Sequence, residues 1–497
     1  MTLGLQGELQ AGKPVAPDRV PATAKHFLAD GGTAGGKDQG DAQISERDLV
    51  RIHAPGYPAA IDGGALTAMA SFSGWDGVKH QGNKSLLTDV LKERMGFDGL
   101  IVGDWNGHGQ IPGCTATDCA AALNAGLDLY MAPDSWKGLY ESLAADARAG
   151  RVPMARLDDA VRRVLRVKAK LGMLEGARPG GGDYALVGAP QHLALAREAV
   201  AKSLVLLKNN GSVLPIKPGA LVLVTGDGAD NLSKQTGGWT ITWQGTGTTP
   251  ADFPNGRSIY AGIARAVTEA GGTATLSRDG SFSARPDVAI VVYGEDPYAE
   301  FQGDVPTLDY QPSGATDLAL QRKLKAAGVP VVSVFLSGRP LWTNPEINAS
   351  DAFVAAWLPG SQGDGVADVL VARRNRRPSR DFTGKLSFSW PRTAASPVAS
   401  PLFRYGYGLS YRDRAQVGRL SEAPGVDVAA ALNVERYFAA GRALSPGTLT
   451  VSDPGGARPV EGPPVTSPAG VVTVRSVDVA AQEDAKRIVW NGQGNAR

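Results

Sequence analysis

Phe97-Asp98-Gly99-Leu100-Ile101-Val102-Gly103-Asp104-Trp105-Asn106-Gly107 is the stretch on which the fold turns. Its centre is a short apolar run of the kind that forms a buried strand. That run delivers one carboxylate, Asp104, at its C-terminal end, with an aromatic beside it. Parallel α/β folds bind their ligands at that end of the strands. An N-cap or a turn also uses an isolated strand-end aspartate, so the neighbouring segments have to decide.

Working outward, strand-like runs at 22–28, 66–72 and 127–131 accompany the one at 100–103, and helical periodicity follows each, at 46–61, 84–95, 118–125 and 137–149. A further helix at 154–171 carries Leu157, Val161, Val164, Leu165, Val167 and Leu171 on one face, with basic residues outside it. Strand–helix alternation of this kind predicts a parallel sheet with covered faces. Four βα units are legible, whereas a closed (β/α)8 barrel needs eight over about 250 residues. Either the sheet is small and open, or the chain enters a barrel halfway.

The remaining organisation follows from composition. Residues 176–190 read as a Gly- and Pro-rich linker. A second α/β region at 191–415 begins with a helix at 191–206. It has buried-strand candidates at 221–225, 288–293, 329–336 and 353–357, and helices at 259–270, 316–327 and 364–372. From 416 to 497, short β-like runs separated by Pro and Gly turns read as the opening of a β-sandwich. The first eight residues lack the basic and apolar segments of a signal peptide, and both ends of the chain read as cut. No repeat at a fixed period is visible.

The bulk composition narrows the function classes. The 497 residues suit about three domains. Hydrophobic residues at 43% and charged residues at 20% describe a globular chain rather than a disordered one. No apolar run is long enough for a transmembrane helix. A net charge of +2 gives no electrostatic reason to expect nucleic acid or an anionic membrane. With 63 glycines and 33 prolines the chain is well above the usual combined share of about 12%, so loops are abundant. The only cysteines, Cys114 and Cys119, cannot make a closed zinc site; they are either a small disulfide or two thiols.

Three further segments carry candidate chemistry. Lys25-His26-Phe27-Leu28-Ala29-Asp30-Gly31-Gly32-Thr33 closes the first strand. Adjacent strand residues point to opposite faces, so Lys25 and His26 share a pocket only if the backbone is irregular there; separately they read as a salt-bridged lysine and a core histidine. In the second region, Tyr293-Gly294-Glu295-Asp296-Pro297-Tyr298-Ala299-Glu300-Phe301-Gln302-Gly303-Asp304 runs from a buried strand into four carboxylates. Crowded carboxylates suit a general acid, and a solvated acidic loop is the plain alternative. Gly237-Gly238-Trp239-Thr240-Ile241-Thr242-Trp243-Gln244-Gly245 sets two indoles beside amides and hydroxyls, which suits stacking on sugar rings as well as simple core packing. The turn at 225–230 lacks the third glycine of a dinucleotide fingerprint, and no P-loop, G-x-S-x-G or H-E-x-x-H occurs. The five histidines are scattered, and no metal constellation is visible.

Taken together in order and spacing, these segments resemble glycoside hydrolase family 3, in its β-glucosidase and exo-β-glucan glucohydrolase branch. The resemblance covers roughly residues 1–415. Gly103-Asp104-Trp105 resembles the nucleophile motif, Lys25-His26 the pair that grips substrate, and the segment from Met69 through Phe72 to Gly77 the glucose-pocket loop. Gly294-Glu295-Asp296-Pro297-Tyr298 is similar to the loop bearing the acid/base, Trp105 and Trp243 to two indoles that clamp the next sugar, and 199–209 and 403–411 to the start and end of the second domain.

The resemblance implies an architecture: the C-terminal half of a (β/α)8 TIM-like barrel over 1–175, an (α/β)6 sandwich domain over 191–415 and the start of a β-sandwich, with the active site between the first two. It implies a retaining exo-acting β-glucosidase that releases glucose from β-glucans or cello-oligosaccharides. In that enzyme Asp104 is the nucleophile, Glu295 the acid/base (Glu300 the alternative on the same loop), and Lys25, His26, Met69, Phe72, Trp105 and Trp243 bind substrate. No cofactor or metal is implied, and export to the periplasm or medium is. There are departures from the family pattern. The first half-barrel, with its sugar-binding aspartate and arginine, is missing; Gln39 stands where some relatives have glutamate, and Phe72 where some have tyrosine. Leu28 and Asp30 replace the proline and second histidine of the N-acetylglucosamine branch. The missing half keeps a rival expectation open, an inactive or sugar-binding fragment, because half a barrel leaves strand edges unpaired.

Overall fold

The computed structural model describes residues 1–176, 184–310, 316–395, 400–427, 449–460, 464–477 and 485–490. Residues 177–183 of the linker read at 176–190 lie outside them, as do 428–448 and 491–497 of the third region. The chain divides into two compact units, Met1–Tyr184 and Ala185–Arg497.

In the first unit β1 (Thr23–Phe27), β2 (Thr67–Ala70) and β3 (Leu100–Val102) form a parallel sheet in the order β1-β2-β3. Phe27, Ala68, Ala70 and Ile101 are buried with Leu49, Leu87, Leu91 and Phe97, contributed by the segments that cross between the strands. The helix expected at 46–61 is broken into Glu46–Asp48, a wide turn at Leu49–His53 and Gly56–Asp62. The Pro55-Gly56 pair stands at the second break, where proline removes a helical donor.

The fourth expected strand, 127–131, reduces to a single bridge between Val102 and Leu129. Its second residue explains why. The buried Asp128 carboxylate accepts the Ile101 N–H (2.8 Å) and Lys92 Nζ (2.7 Å), and it also bonds Arg156. A side chain has taken the ladder donor that a neighbouring strand would use. The long helix Met154–Lys170 straddles two clusters, Val15, Leu66, Leu100 and Val167 on one side and Leu123, Val152 and Ala160 on the other. Val161 and Leu165 of its predicted apolar face are left exposed.

The second unit is built on six strands: β4 (Val205–Asn209), β5 (Leu221–Thr225), β6 (Thr273–Leu276), β7 (Val288–Gly294), β8 (Val331–Leu336) and β9 (Ala352–Trp357). Their order is β4-β9-β8-β7-β5-β6, with β4 antiparallel to β9 and every other pair parallel. Strands buried on both faces read as continuous apolar runs, and β7 and β8 are buried along their whole length. Val222, Val224, Ile290, Val292, Val334 and Val354 face one cluster, joined by Ile259, Ile263, Val366 and Leu370. The alternate residues Leu223, Val291, Tyr293, Phe335 and Phe353 face the other, with Leu324, Ile347 and Trp390.

The helix expected at 191–206 stops at Ser203, and Val205–Asn209 becomes the edge strand β4. Leu204 leaves the helix with extended angles (φ −63°, ψ 132°). An all-apolar run satisfies helix and strand patterns equally, so periodicity could not divide the two. In the third region Thr450–Asp453 pairs with Gly456–Pro459, and Val465–Thr466, Val472–Val477 and Ala485–Trp490 form a second antiparallel sheet.

Candidate active site

In the first unit, the C-terminal ends of β1, β2 and β3 assemble one polar cluster. The pairing of β1 with β2 slips between Ala24↔Ala68 and Phe27↔Ala70, so Lys25 and His26 together oppose Met69 alone. Such a bulge re-aims side chains and supplies the irregular backbone that the Lys-His pair requires. His26 Nε2 lies 3.7 Å from Asp104 Oδ2, and His26 Nδ1 lies 3.4 Å from Asp30 Oδ2. Ser71, next after β2, donates to Asp30 Oδ1 (2.5 Å). The Trp105 N–H donates to Asp104 Oδ1 (2.7 Å).

Burial raises the Asp104 carboxyl above the ordinary aspartate range, and nearby Asp30 adds to the rise. The Trp105 N–H, His26 and Lys25 act against it. A carboxylate with donors on one oxygen, cationic groups nearby and little water is equipped as a nucleophile. Met69 and Phe72 are half-buried at the same strand ends, and the Phe72 carbonyl accepts Lys79 Nζ (3.2 Å). Gln39 is tied back, its carbonyl accepting Lys79 Nζ (2.8 Å) and its side-chain oxygen Gln110 Nε2 (2.6 Å). The Trp105 indole Nε1 is buried with no partner among the described residues. Cys114 and Cys119 form a disulfide with their Cα atoms 4.8 Å apart.

In the second unit, the loop after β7 is held by the segment after β8. The register Gly294↔Leu336 carries straight on to set Glu295 beside Ser337. Only glycine fits at 294, because a Cβ there would lie 1.8 Å from the Leu336 carbonyl oxygen. Glu295 Oε1 accepts Arg339 Nη2 (2.6 Å) and Nε (3.0 Å), and its Oε2 accepts Ser337 Oγ (2.7 Å) and Tyr298 OH (3.3 Å). Asp296 pairs with the buried Lys234 (3.1 Å), which also bonds Asp227 (2.5 Å).

Glu300 has different partners. Trp239 Nε1 donates to both of its oxygens (3.1 and 3.0 Å), and Trp243 Nε1 donates to Oε2 (2.5 Å). Gln244 fixes the backbone, accepting the Ala299 N–H (2.7 Å) and donating to the Glu300 carbonyl (3.3 Å). Trp243 is only 5% exposed, edge-on to Phe301, whereas Trp239 is 61% exposed. Of these two indoles, Trp239 is the one exposed to solvent. Trp239, Ile241 and Phe301 all have left-handed backbones (φ 57°, 66° and 66°). Such strain costs about 1 kcal/mol or more per residue and gathers at ligand sites.

Ser337, Arg339 and Lys234 escaped the sequence reading. The signal that could have found two of them is the polar Ser337-Gly338-Arg339, which directly follows a buried strand at the same sheet end as Glu295.

Two α/β units, each with carboxylates at strand C-termini among donors and indoles, form an arrangement of the kind that carbohydrate-active proteins use. Comparison makes that specific. The Glycosyl hydrolase family 3 N terminal domain matches residues 1–167 and the Glycosyl hydrolase family 3 C-terminal domain matches residues 204–411. The chain belongs to glycosyl hydrolase family 3.

Among solved structures, it is similar to the exo-1,3/1,4-beta-glucanase of a Pseudoalteromonas species. The TM-score is 0.82 at 45% identity, over 99% of this chain and 62% of that one. A mutant of the same protein aligns at 49% identity over 86% of this chain and 70% of that chain, also with a TM-score of 0.82. The lysosomal beta glucosidase of Dictyostelium discoideum is 30% identical over 80% of this chain, and the periplasmic beta-glucosidase of Salmonella typhimurium is 29% identical over 81%. The chain spans 52% and 60% of the lengths of these two curated relatives. No helix among the described residues is long and apolar enough to cross a membrane.

Proposed function

We propose that this chain carries the catalytic carboxylates of a retaining, exo-acting β-glucosidase or β-glucan glucohydrolase, which releases glucose from non-reducing ends of β-glucans or cello-oligosaccharides. On this reading β1–β3 belong to a (β/α)8 barrel and β4–β9 to an (α/β)6 sandwich. The observation that carries the proposal is Asp104, ending a parallel strand with Oδ1 bonded to the Trp105 N–H and Oδ2 3.7 Å from His26.

In the first step an Asp104 oxygen bonds to the anomeric carbon while the glycosidic C–O bond breaks, and the acid's proton passes to the departing oxygen. In the second, the same acid group, now a carboxylate, takes a proton from water. The water oxygen bonds to the anomeric carbon and the bond to Asp104 breaks, leaving the configuration retained. Retention needs the two carboxyls about 5–5.5 Å apart across the bond. Lys25, His26, Met69 and Phe72 grip the terminal sugar in this reading, and Trp105 and Trp243 belong to the next sugar's subsite, with Trp239 the more exposed platform.

For the acid/base, the sequence reading puts Glu295 first and Glu300 second, and the bonding favours Glu300. Glu295 accepts a guanidinium and two hydroxyls, a charge-assisted set that ties it to Arg339. Among the described residues, the Glu300 carboxylate accepts neutral indole N–H groups alone. Export to the periplasm or medium fits the Cys114–Cys119 disulfide and the periplasmic beta-glucosidase among the relatives.

The test is release of 4-nitrophenol from its β-D-glucoside, with Asp104→Ala as the control, and covalent trapping by a 2-deoxy-2-fluoro glucoside. Turnover lost in Asp104→Ala and a label on Asp104 are expected; an Asp104→Ala protein that works at the parental rate would remove the proposal. One observation favours a second reading, a sugar-binding fragment without turnover: among the described residues β1 pairs only with β2 and leaves its other edge open. Glucoside binding without hydrolysis would support it.

A further inference from the structure

We infer that Arg339 is a positioning residue, which locks the loop of residues 295–303 at both ends and so presents Glu300 in a fixed pose. The inference rests on the reading of Glu300 as acid/base. Its observations are independent of that reading.

One guanidinium serves three points of the loop. At the start, Nε and Nη2 converge on Glu295 Oε1 (3.0 and 2.6 Å). In the middle, the guanidinium carbon sits 4.5 Å from the centre of the Tyr298 ring. At the end, Nη1 donates to the Gly303 carbonyl. A planar fork of five donors can do this, and a lysine ammonium cannot reach all three.

Arg339 is itself held, because its backbone N–H donates to Ser337 Oγ (3.1 Å) in the tight turn after β8. The clamp is therefore anchored to a strand that is buried throughout. Between the clamped ends lie Ala299 and Glu300, whose backbone groups bond Gln244. The Tyr298 carbonyl also packs so closely on Gly238 that a Cβ there would approach it to 2.0 Å. The loop and the Trp239–Gln244 segment thus move as one piece, and the two indole bonds to Glu300 report whether that piece is in place. Glu295, in this account, is the clamp's counter-charge rather than the proton donor.

The indole bonds give a readout that needs no turnover. In protein labelled with nitrogen-15 tryptophan, the indole N–H resonances of Trp239 and Trp243 can be assigned by replacing each with phenylalanine. In Arg339→Ala, and in the milder Glu295→Gln, both resonances should move upfield together, with Arg339→Lys intermediate. Unmoved resonances in Arg339→Ala and Glu295→Gln would overturn the clamp, whatever happened to activity.

Kinetics then separate the clamp from the reading beneath it. With Glu300 as the acid, Glu300→Gln loses about 100-fold or more in kcat/KM on cellobiose. Its loss on the 2,4-dinitrophenyl glucoside, whose leaving group needs no proton, should be at least about tenfold smaller. Arg339→Ala should show the same substrate pattern at smaller amplitude, partly rescued by Arg339→Lys. A Glu300→Gln protein at the full cellobiose rate would remove the acid assignment while leaving the resonance result to decide the clamp.

Discussion

Glu346 offers a prediction whose size can be worked out. Its side chain is 5% exposed in the short helix Asn344–Asn348. Burial pushes its carboxyl up to about 8 from the ordinary 4.5, and nearby Asp309 and Asp317 push the same way; its own backbone N–H and Arg322 oppose the shift. The unfolded chain releases this proton near 4.5 and the folded chain keeps it to about 8. The group's contribution to stability is therefore complete below 4.5 and lost as the pH climbs to 8. At about 1.4 kcal/mol per tenfold in proton affinity, the loss is about 3 kcal/mol by pH 7 and about 4 kcal/mol by pH 8. Glutamine has the shape of the protonated acid and never ionises. Glu346→Gln should be near neutral at pH 5 and stabilising by about 4 kcal/mol at pH 8, raising Tm there by about 10 °C. Urea unfolding of parent and variant at both pH values, followed by tryptophan fluorescence, measures the difference, in which most other titrating groups cancel. An equal effect at pH 5 and pH 8, or a loss at both, would mean that Glu346 is ionised in the folded protein and that the reasoning from burial is wrong.

Other perturbations test other layers. Asp128→Asn removes the charge shared by Lys92 and Arg156 under β3 and should cost about 3–5 kcal/mol in chemical denaturation. Burial pushes the His80 imidazole down to about 4, so the unfolded chain gains a proton near 6.5 that the folded chain refuses. Stability should therefore fall by up to about 3 kcal/mol as the pH drops from 6.5 towards 4, and His80→Asn should flatten that fall in titrated unfolding experiments. Ile290→Ala in the middle of β7 leaves a cavity in a fully buried strand and should cost about 2–5 kcal/mol, read from the denaturation midpoint.

What was legible in the sequence was whatever local chemistry dictates. β3 was readable because a short apolar run between Gly99 and Gly103 fits a buried strand, whereas its terminal carboxylate suited an N-cap or a turn as well until the neighbouring segments were weighed. The strands β5, β7, β8 and β9 were readable because burial on both faces forces near-continuous apolar composition. Two errors share one cause, competition that a linear pattern does not record. Val205–Asn209 suits a helix until the antiparallel partner β9 is available. Residues 127–131 suit a strand until the Asp128 side chain, paired with Lys92 and Arg156, takes the Ile101 N–H.

The two loop glutamates show the same limit at the site. Glu295 and Glu300 stand five residues apart in one acidic segment, and composition treats them alike. Their environments diverge through residues far off in the chain: Arg339 and Ser337 turn to Glu295, and Trp239 and Trp243 to Glu300. A guanidinium stabilises a carboxylate as an anion more strongly than neutral N–H donors do. On the proposed reading the first glutamate is the clamp's counter-charge and the second is the acid/base. The difference in partners within the loop is set by the register of β7 on β8, which delivers Ser337 to Glu295, and by the Trp239–Gln244 turn, which delivers two indoles to Glu300. No reading confined to residues 295–304 could have recovered it, because the partners that discriminate come from two other loops.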